Sequence, residues 1–204
     1  MKKKTILYLV RHGETRWNLE QRFQGHTDIE LSEKGEKQAI LISRRLKNVP
    51  ISAVYSSDLS RAYVTAQIIA DSHNLSVKQI PELKEMCYGE WEGKMFQEIN
   101  QEYGERFPRW LSNPTIFQIP NGEAIDKLQL RVVKAITEIV EKHPGEQVVV
   151  VTHGIAIKTI ISSVLGLPLS QISRFRQDNA SLNIIEFYNG KGVVLTLNDT
   201  CHLS

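Results

Sequence analysis

Two short runs of branched aliphatic residues, 6–10 (ILYLV) and 148–151 (VVVV), show no polar alternation and stop abruptly at polar positions. Such runs predict strands buried on both faces, the pattern of a parallel sheet. Between and after them the periodicity changes. Leu59, Ala62, Ala66 and Ile69 follow one helical face, as do Ile125, Leu128, Val132, Ile136 and Val140. Ser32 can N-cap a helix running to about Lys47, with Ala39, Ile42 and Leu46 on its apolar side, and Pro50 then opens a strand over ISAVY. Alternating strands and helices predict an α/β fold. Near the end, NIIEFYNGKGVVLTLN reads as a hairpin turning at Asn189-Gly190, which makes the expected sheet mixed.

Residues 86–122 break this rhythm. Gly89, Gly93, Gly104, Pro108, Pro114 and Pro120 punctuate short helical pieces carrying Trp91, Phe107 and Trp110, so the segment is expected to be an insertion over one end of the sheet. No repeat or linker divides the chain, and residues 1–204 are expected to form one domain.

Composition narrows the function class. With 25 Lys+Arg against 23 Asp+Glu the net charge is +2, which argues against binding nucleic acid or an acidic membrane through bulk charge. Cys87 and Cys201 are far apart and lack ligand spacing, so neither a disulfide framework nor a zinc cage is expected. The opening MKKKTILYLV is too short in its apolar run for a signal peptide, and no stretch reaches the roughly 18 apolar residues of a membrane span. A soluble cytoplasmic protein is expected, as monomer or homodimer.

Both buried strands end in a polar residue followed by His-Gly: Arg11-His12-Gly13 and Thr152-His153-Gly154. Random placement of 6 histidines and 12 glycines in 204 residues would give about 0.35 His-Gly pairs. In open α/β sheets ligands bind beyond the carboxyl ends of strands, so both imidazoles can face one crevice. A glycine after each allows the backbone to approach a tetrahedral anion and offer its N–H. Arg11 and Arg61, the latter just past ISAVY, add guanidinium forks that match phosphate oxygens. Glu82, Glu85, Glu90 and Glu92 crowd around MCYGEWEG, and composition does not choose a proton carrier among them. Tyr88, Trp91, Phe107 and Trp110 can line a pocket or fill a core. GEWEGKM is one residue short of a P-loop and ends in Met, and no GxGxxG or HExxH is present.

The stretch LVRHGETRWN closely resembles the signature of the histidine phosphatase superfamily, also called phosphoglycerate mutase-like. RFQGHTDIELSEKGEKQA, YSSDLSRAYVTAQ, LKEMCYGEWEG, PNGEA and VVTHG follow in that family's order, covering residues 6–167. The resemblance implies a three-layer α/β/α sandwich with a mostly parallel mixed sheet and a site needing no metal or other cofactor. It makes His12 the nucleophile, Arg11, Arg61 and His153 the phosphoryl-binding groups and Glu85 the proton donor, with Asn18, Gln24 and Gly154 at substrate-binding positions. Ile29-Glu30 stands where many relatives have a proline before the leucine at Leu31. The two arginines would push the pKa of His12 down and leave a neutral nucleophile, and partial burial beside phosphate would keep Glu85 protonated for the departing alkoxide.

The pattern YGEWEGK resembles the broad-specificity phosphatases of the family, not the longer mutases with their YGxLxGLNK-like segment. The expected activity is hydrolysis of a small phosphate monoester. The alternatives are a 2,3-bisphosphoglycerate-dependent phosphoglycerate mutase and a ribazole-phosphate phosphatase. If Met86, Tyr88, Trp91, Phe107 and Trp110 surround the leaving group, apolar or aromatic alcohols would be favoured.

Overall fold

The computed structural model describes residues 3–204. Along the chain run β1 (Thr5–Arg11), α1 (Arg16–Leu19), α2 (Glu33–Leu46), β2 (Ile51–Ser56), α3 (Ser60–Asp71), β3 (Val77–Gln79), α4 (Phe96–Tyr103), α5 (Arg106–Ser112), α6 (Ile125–Lys142), β4 (Gln147–Thr152), α7 (Gly154–Leu165), β5 (Leu182–Tyr188) and β6 (Lys191–Asp199). The six strands form one sheet in the order β3-β2-β4-β1-β5-β6. The four strands from β3 to β1 run parallel, and the C-terminal hairpin adds β5 and β6 antiparallel, which makes the sheet mixed as expected.

The unalternated aliphatic runs are explained by helices on both faces. Leu7, Leu9, Val148 and Val150 enter the core that includes residues of α6 and α7, whereas Val10, Val149 and Val151 enter the core beneath α2 and α3. The sandwich is therefore three-layered. Helix α2 starts where the Ser32 side chain accepts from the Gly35 N–H, and it buries Ala39, Ile42 and Leu46. The hairpin turns at Asn189 and Gly190 with φ of 51° and 78°, the paired positive values that a two-residue primed turn requires.

β6 looks apolar in sequence, yet Val193, Leu195 and Leu197 are exposed, because it is an edge strand whose helix contacts lie with α7 on one face only. Among the described residues no helix is long and apolar enough to cross a membrane.

Register places the site. Arg11 is level with Thr152 across β1 and β4, and Ser56 is level with Val151 across β2 and β4. Three parallel strands thus stop at one height, and the next residues, His12, Ser57 and His153, are brought together there. Gly13 and Gly35 let the loop after β1 touch the first turn of α2. A Cβ on Gly13 would lie 2.4 Å from the Gly35 carbonyl oxygen, an overlap with backbone that cannot swing away.

Candidate active site

His12 is 3% exposed, and its Nδ1 lies 2.6 Å from the carbonyl oxygen of Gly13. A carbonyl only accepts, so Nδ1 carries the ring proton and Nε2 keeps the lone pair. Burial, and then the charges of Arg61 and Arg11, hold its pKa well below the usual histidine value. The expected depression is present, but burial is its larger cause. His153 is fully buried, its ring centroid 5.1 Å from that of His12, with Nε2 2.7 Å from Ser57 Oγ. Its pKa is likewise depressed, first by burial and then by Arg61, His12 and Arg11. Two neutral imidazoles therefore lie side by side.

The arginines are anchored by backbone carbonyls. Arg11 Nη1 donates to Gln177 O at 2.6 Å, while Arg61 Nη1 and Nη2 donate to Thr27 O and Gly25 O at 2.9 and 2.7 Å. Burial lowers the Arg61 pKa to about 10, which leaves it cationic at neutral pH. Arg11 Nε, Arg61 Nε and His153 Nδ1 are buried without any hydrogen-bond partner. Unpaired buried polar atoms are costly, and these three N–H groups on one cluster are donors that an anion would satisfy.

Of the four glutamates around MCYGEWEG, only Glu85 lines this cleft. Its Oε1 accepts from Met86 N–H at 2.8 Å and Ala156 N–H at 3.2 Å, and Oε2 accepts from Ile155 N–H at 3.0 Å, two of the donors coming from the start of α7. The Glu85 carbonyl is held in turn by His26 Nε2 at 2.9 Å and Arg131 Nη2 at 2.8 Å. Arg131 also donates to the carbonyls of Glu82 and Lys84 and forms a two-pronged pair with Glu123. Glu92 instead shapes the neighbouring loop, accepting from His26 N–H, Tyr88 N–H and both the N–H and hydroxyl of Thr27. Glu90 pairs with Asn121 at the surface, and Glu82 offers Arg131 its carbonyl.

The cleft has a volume of about 120 Å³. Asn18, Arg22, Gln24 and Gly25 form its polar side, which places Asn18 and Gln24, the two loop positions implied by the family resemblance, beside His12. Asn18 Oδ1 accepts from Thr15 N–H at 3.0 Å and Asn179 Nδ2 at 3.2 Å, and Gln24 Oε1 accepts from Thr15 Oγ1 at 2.9 Å. With their oxygens occupied, both amides have N–H donors to spare.

Other expectations change. Gly13 does not offer its N–H to an anion: that group donates to Thr65 Oγ1 at 3.1 Å, and the missing side chain makes room for Gly35. Neither Gly154 nor His153 forms part of the cleft wall itself: Gly154 stands against Arg11 and Glu85, where a Cβ would meet the Arg11 guanidinium at 3.5 Å, and His153 adjoins the cleft through His12, its ring 5.1 Å away. Met86, Trp91, Phe107 and Trp110 are core residues away from the cleft wall, and Trp91 packs edge-on to Phe107 and Trp110. The apolar wall consists of Phe23, Tyr88 and Phe96, with Phe23 contacting the other two at ring distances of 4.7 and 4.6 Å.

Sequence reading missed Ser57, Arg131, Phe23 and Phe96. Ser57 carried a usable signal, since it directly follows β2 just as the two histidines follow β1 and β4. Arg131 carried none, because the carbonyls that it holds are 46 to 49 residues away.

Among the described residues no three His, Cys, Asp or Glu side chains group as a metal site. The pattern of the histidine phosphatase superfamily (branch 1) matches residues 7–200. The chain is 38% identical over 197 residues to phosphoserine phosphatase 1 of Hydrogenobacter thermophilus, covering 97% of this chain and 93% of that one. It is 39% identical over 201 residues to phosphoglycerate mutase-like protein 4 of Arabidopsis thaliana, covering 97% and 86%. The structure of Bacillus stearothermophilus YhfR superposes with a TM-score of 0.93 at 36% identity, covering 98% of this chain and all of that one.

Proposed function

This chain belongs to the histidine phosphatase superfamily, and from that premise we propose that it hydrolyses small phosphate monoesters without a metal, through a phosphohistidine on Nε2 of His12. The observation that carries the reading is the pairing of one nitrogen lone pair, on His12 Nε2, with three unpartnered buried groups, Arg11 Nε, Arg61 Nε and His153 Nδ1. Nε2 attacks phosphorus as the ester P–O bond breaks, and the equatorial oxygens meet the two guanidinium groups and the second imidazole. Fixed charges of this kind need no reorganisation during transfer. Glu85 gives its proton to the departing alkoxide. As carboxylate it then takes a proton from the water that attacks phosphohistidine, releasing phosphate and restoring both residues.

The small cleft and its mixed walls favour a compact leaving group with polar atoms toward Asn18, Arg22 and Gln24. With Trp91, Phe107 and Trp110 in the core, what supports an apolar leaving group is the smaller wall of Tyr88, Phe23 and Phe96. The phosphoserine phosphatase relative makes phosphoserine the first substrate to try, beside 3-phosphoglycerate, ribazole phosphate and p-nitrophenyl phosphate.

The test is phosphate release in EDTA together with acid-quenched labelling by a ³²P monoester. Wild type should turn over and trap an acid-labile phosphoenzyme, and His12→Ala should do neither. A His12→Ala variant with undiminished turnover would remove the mechanism. The mutase-like relative motivates one further arm. Silence on all four esters, with 3- to 2-phosphoglycerate interconversion only after 2,3-bisphosphoglycerate is added, would assign a mutase instead.

A further inference from the structure

We propose that Ser57 sets the tautomer of His153: its hydroxyl donates to Nε2, which keeps the ring proton on Nδ1 and presents the second histidine to the phosphoryl group as a hydrogen-bond donor. The proposal rests on reading the cleft as a phosphoryl site. Both residues are fully buried, and the Oγ to Nε2 distance is 2.7 Å.

Distance alone does not say which atom donates, but the surroundings do. Nε2 of His153 is the one hydrogen-bond partner of Ser57 Oγ among the described residues. Nearby Asp58 Oδ1 is itself unpartnered, so it does not take the serine proton. If His153 donated instead, the hydroxyl proton would be stranded in the interior, and a bare lone pair on Nδ1 would replace the N–H that an anion requires. Protonation of both nitrogens would remove the choice, and burial beside Arg61 and Arg11 disfavours it.

The serine is well placed to act as a fixed donor. Its N–H donates to Val151 O at 3.3 Å, and its carbonyl accepts from Ser56 Oγ at 2.7 Å. The first bond ties the end of β2 to β4, and the second holds the Ser57 carbonyl locally.

The two histidines are consequently wired in opposite senses. In His12 a carbonyl takes the Nδ1 proton and leaves Nε2 as a nucleophile, and in His153 a hydroxyl satisfies Nε2 and leaves Nδ1 as a donor. One residue type at two neighbouring strand ends acquires two chemistries from what its other nitrogen touches. Ser57 is in this sense a positioning residue, touching His153 and not the substrate.

The experiment is a long-range ¹H–¹⁵N correlation spectrum of ligand-free protein labelled with ¹⁵N-histidine, with His153 assigned through His153→Asn. The expected wild-type signature is a protonated Nδ1 and an unprotonated Nε2. Ser57→Ala should shift proton occupancy to Nε2, the nitrogen favoured in a free imidazole side chain. It should also weaken binding of inorganic phosphate about tenfold, the loss of one hydrogen bond to a charged group. A protonated Nε2 in wild type, or an unchanged tautomer in Ser57→Ala, would overturn the proposal. The wild-type spectrum decides the tautomer even if the variant does not fold. Because it requires no turnover, failure of the hydrolase reading would show separately, as absence of the phosphoenzyme with the His153 signature intact.

Discussion

Replacing Arg131 by alanine removes five hydrogen bonds at once. The guanidinium reaches Glu123 through Nε and Nη2, both at 2.7 Å, and the carbonyls of Glu82, Lys84 and Glu85 at 2.7, 2.8 and 2.8 Å. The pair is about four-fifths buried, with side-chain exposures of 21% and 16%, so water can reach the vacated groups only in part. Single hydrogen bonds contribute about 1 kcal/mol and charged ones about 1.5–3, but bonds made by one side chain do not add. A net loss of about 2–4 kcal/mol is expected. At this chain length that corresponds to a fall in Tm of roughly 5–15 °C. The kinetic consequence is specific, because the freed carbonyl is that of Glu85. At a temperature where the variant is folded, turnover of an alkyl phosphate should drop about 10–100-fold, a share of what general acid catalysis contributes, and p-nitrophenyl phosphate should be nearly spared. The assays are differential scanning calorimetry and paired kinetics on the two esters. A Tm within about 1 °C of wild type would refute the energetic reasoning. Equal losses on both esters would refute the claim that Arg131 acts through the proton donor.

Glu85→Gln should likewise harm alkyl phosphates far more than p-nitrophenyl phosphate, whose alcohol hardly needs a proton; a uniform loss in kcat would make Glu85 structural. Arg61→Lys keeps the charge but gives up the planar group tied to Thr27 and Gly25, and kcat/KM should fall at least about tenfold; wild-type kinetics would show that charge alone suffices. Because His12 and His153 have depressed pKa values in the fold, the unfolded chain binds more protons below about pH 6.5. Stability should therefore decline as pH falls through that value, and unfolding free energies that stay level from about pH 7.5 to 5.5 would contradict the buried neutral pair.

Much of the frame was legible because its causes are local. Strands covered on both faces need unbroken aliphatic runs, so β1 and β4 announce themselves, and Ser32 and Asn189-Gly190 mark their elements through capping and turn conformations that act over a few residues. The site was half legible for the same reason: His12, His153 and Arg61 follow strand ends, and strand ends can be found from pattern. The insertion was not. Its aromatic residues read equally as pocket or core, and packing alone placed Trp91, Phe107 and Trp110 inside while leaving Tyr88 at the cleft beside Phe23 and Phe96.

What the sequence by itself determined is the order of elements, the two-sided burial of the sheet and the residue types at the strand ends, all properties of neighbours along the chain. Composition left four glutamates open and the family resemblance pointed to Glu85; the tertiary structure brings Glu85 alone of the four to the cleft wall and decides which nitrogen of His153 is free. It also decided that Ser57 and Arg131 serve the site at all. Those outcomes depend on register between β1, β2 and β4 and on contacts such as Arg131 to Glu85 and Ser57 to His153, 46 and 96 residues apart. Hydrogen-bond direction and desolvation arise from atoms that meet in space, and for Ser57 with His153 and Arg131 with Glu85 no short window along the chain contains both partners, whereas the partner of His12 Nδ1 is the neighbouring Gly13.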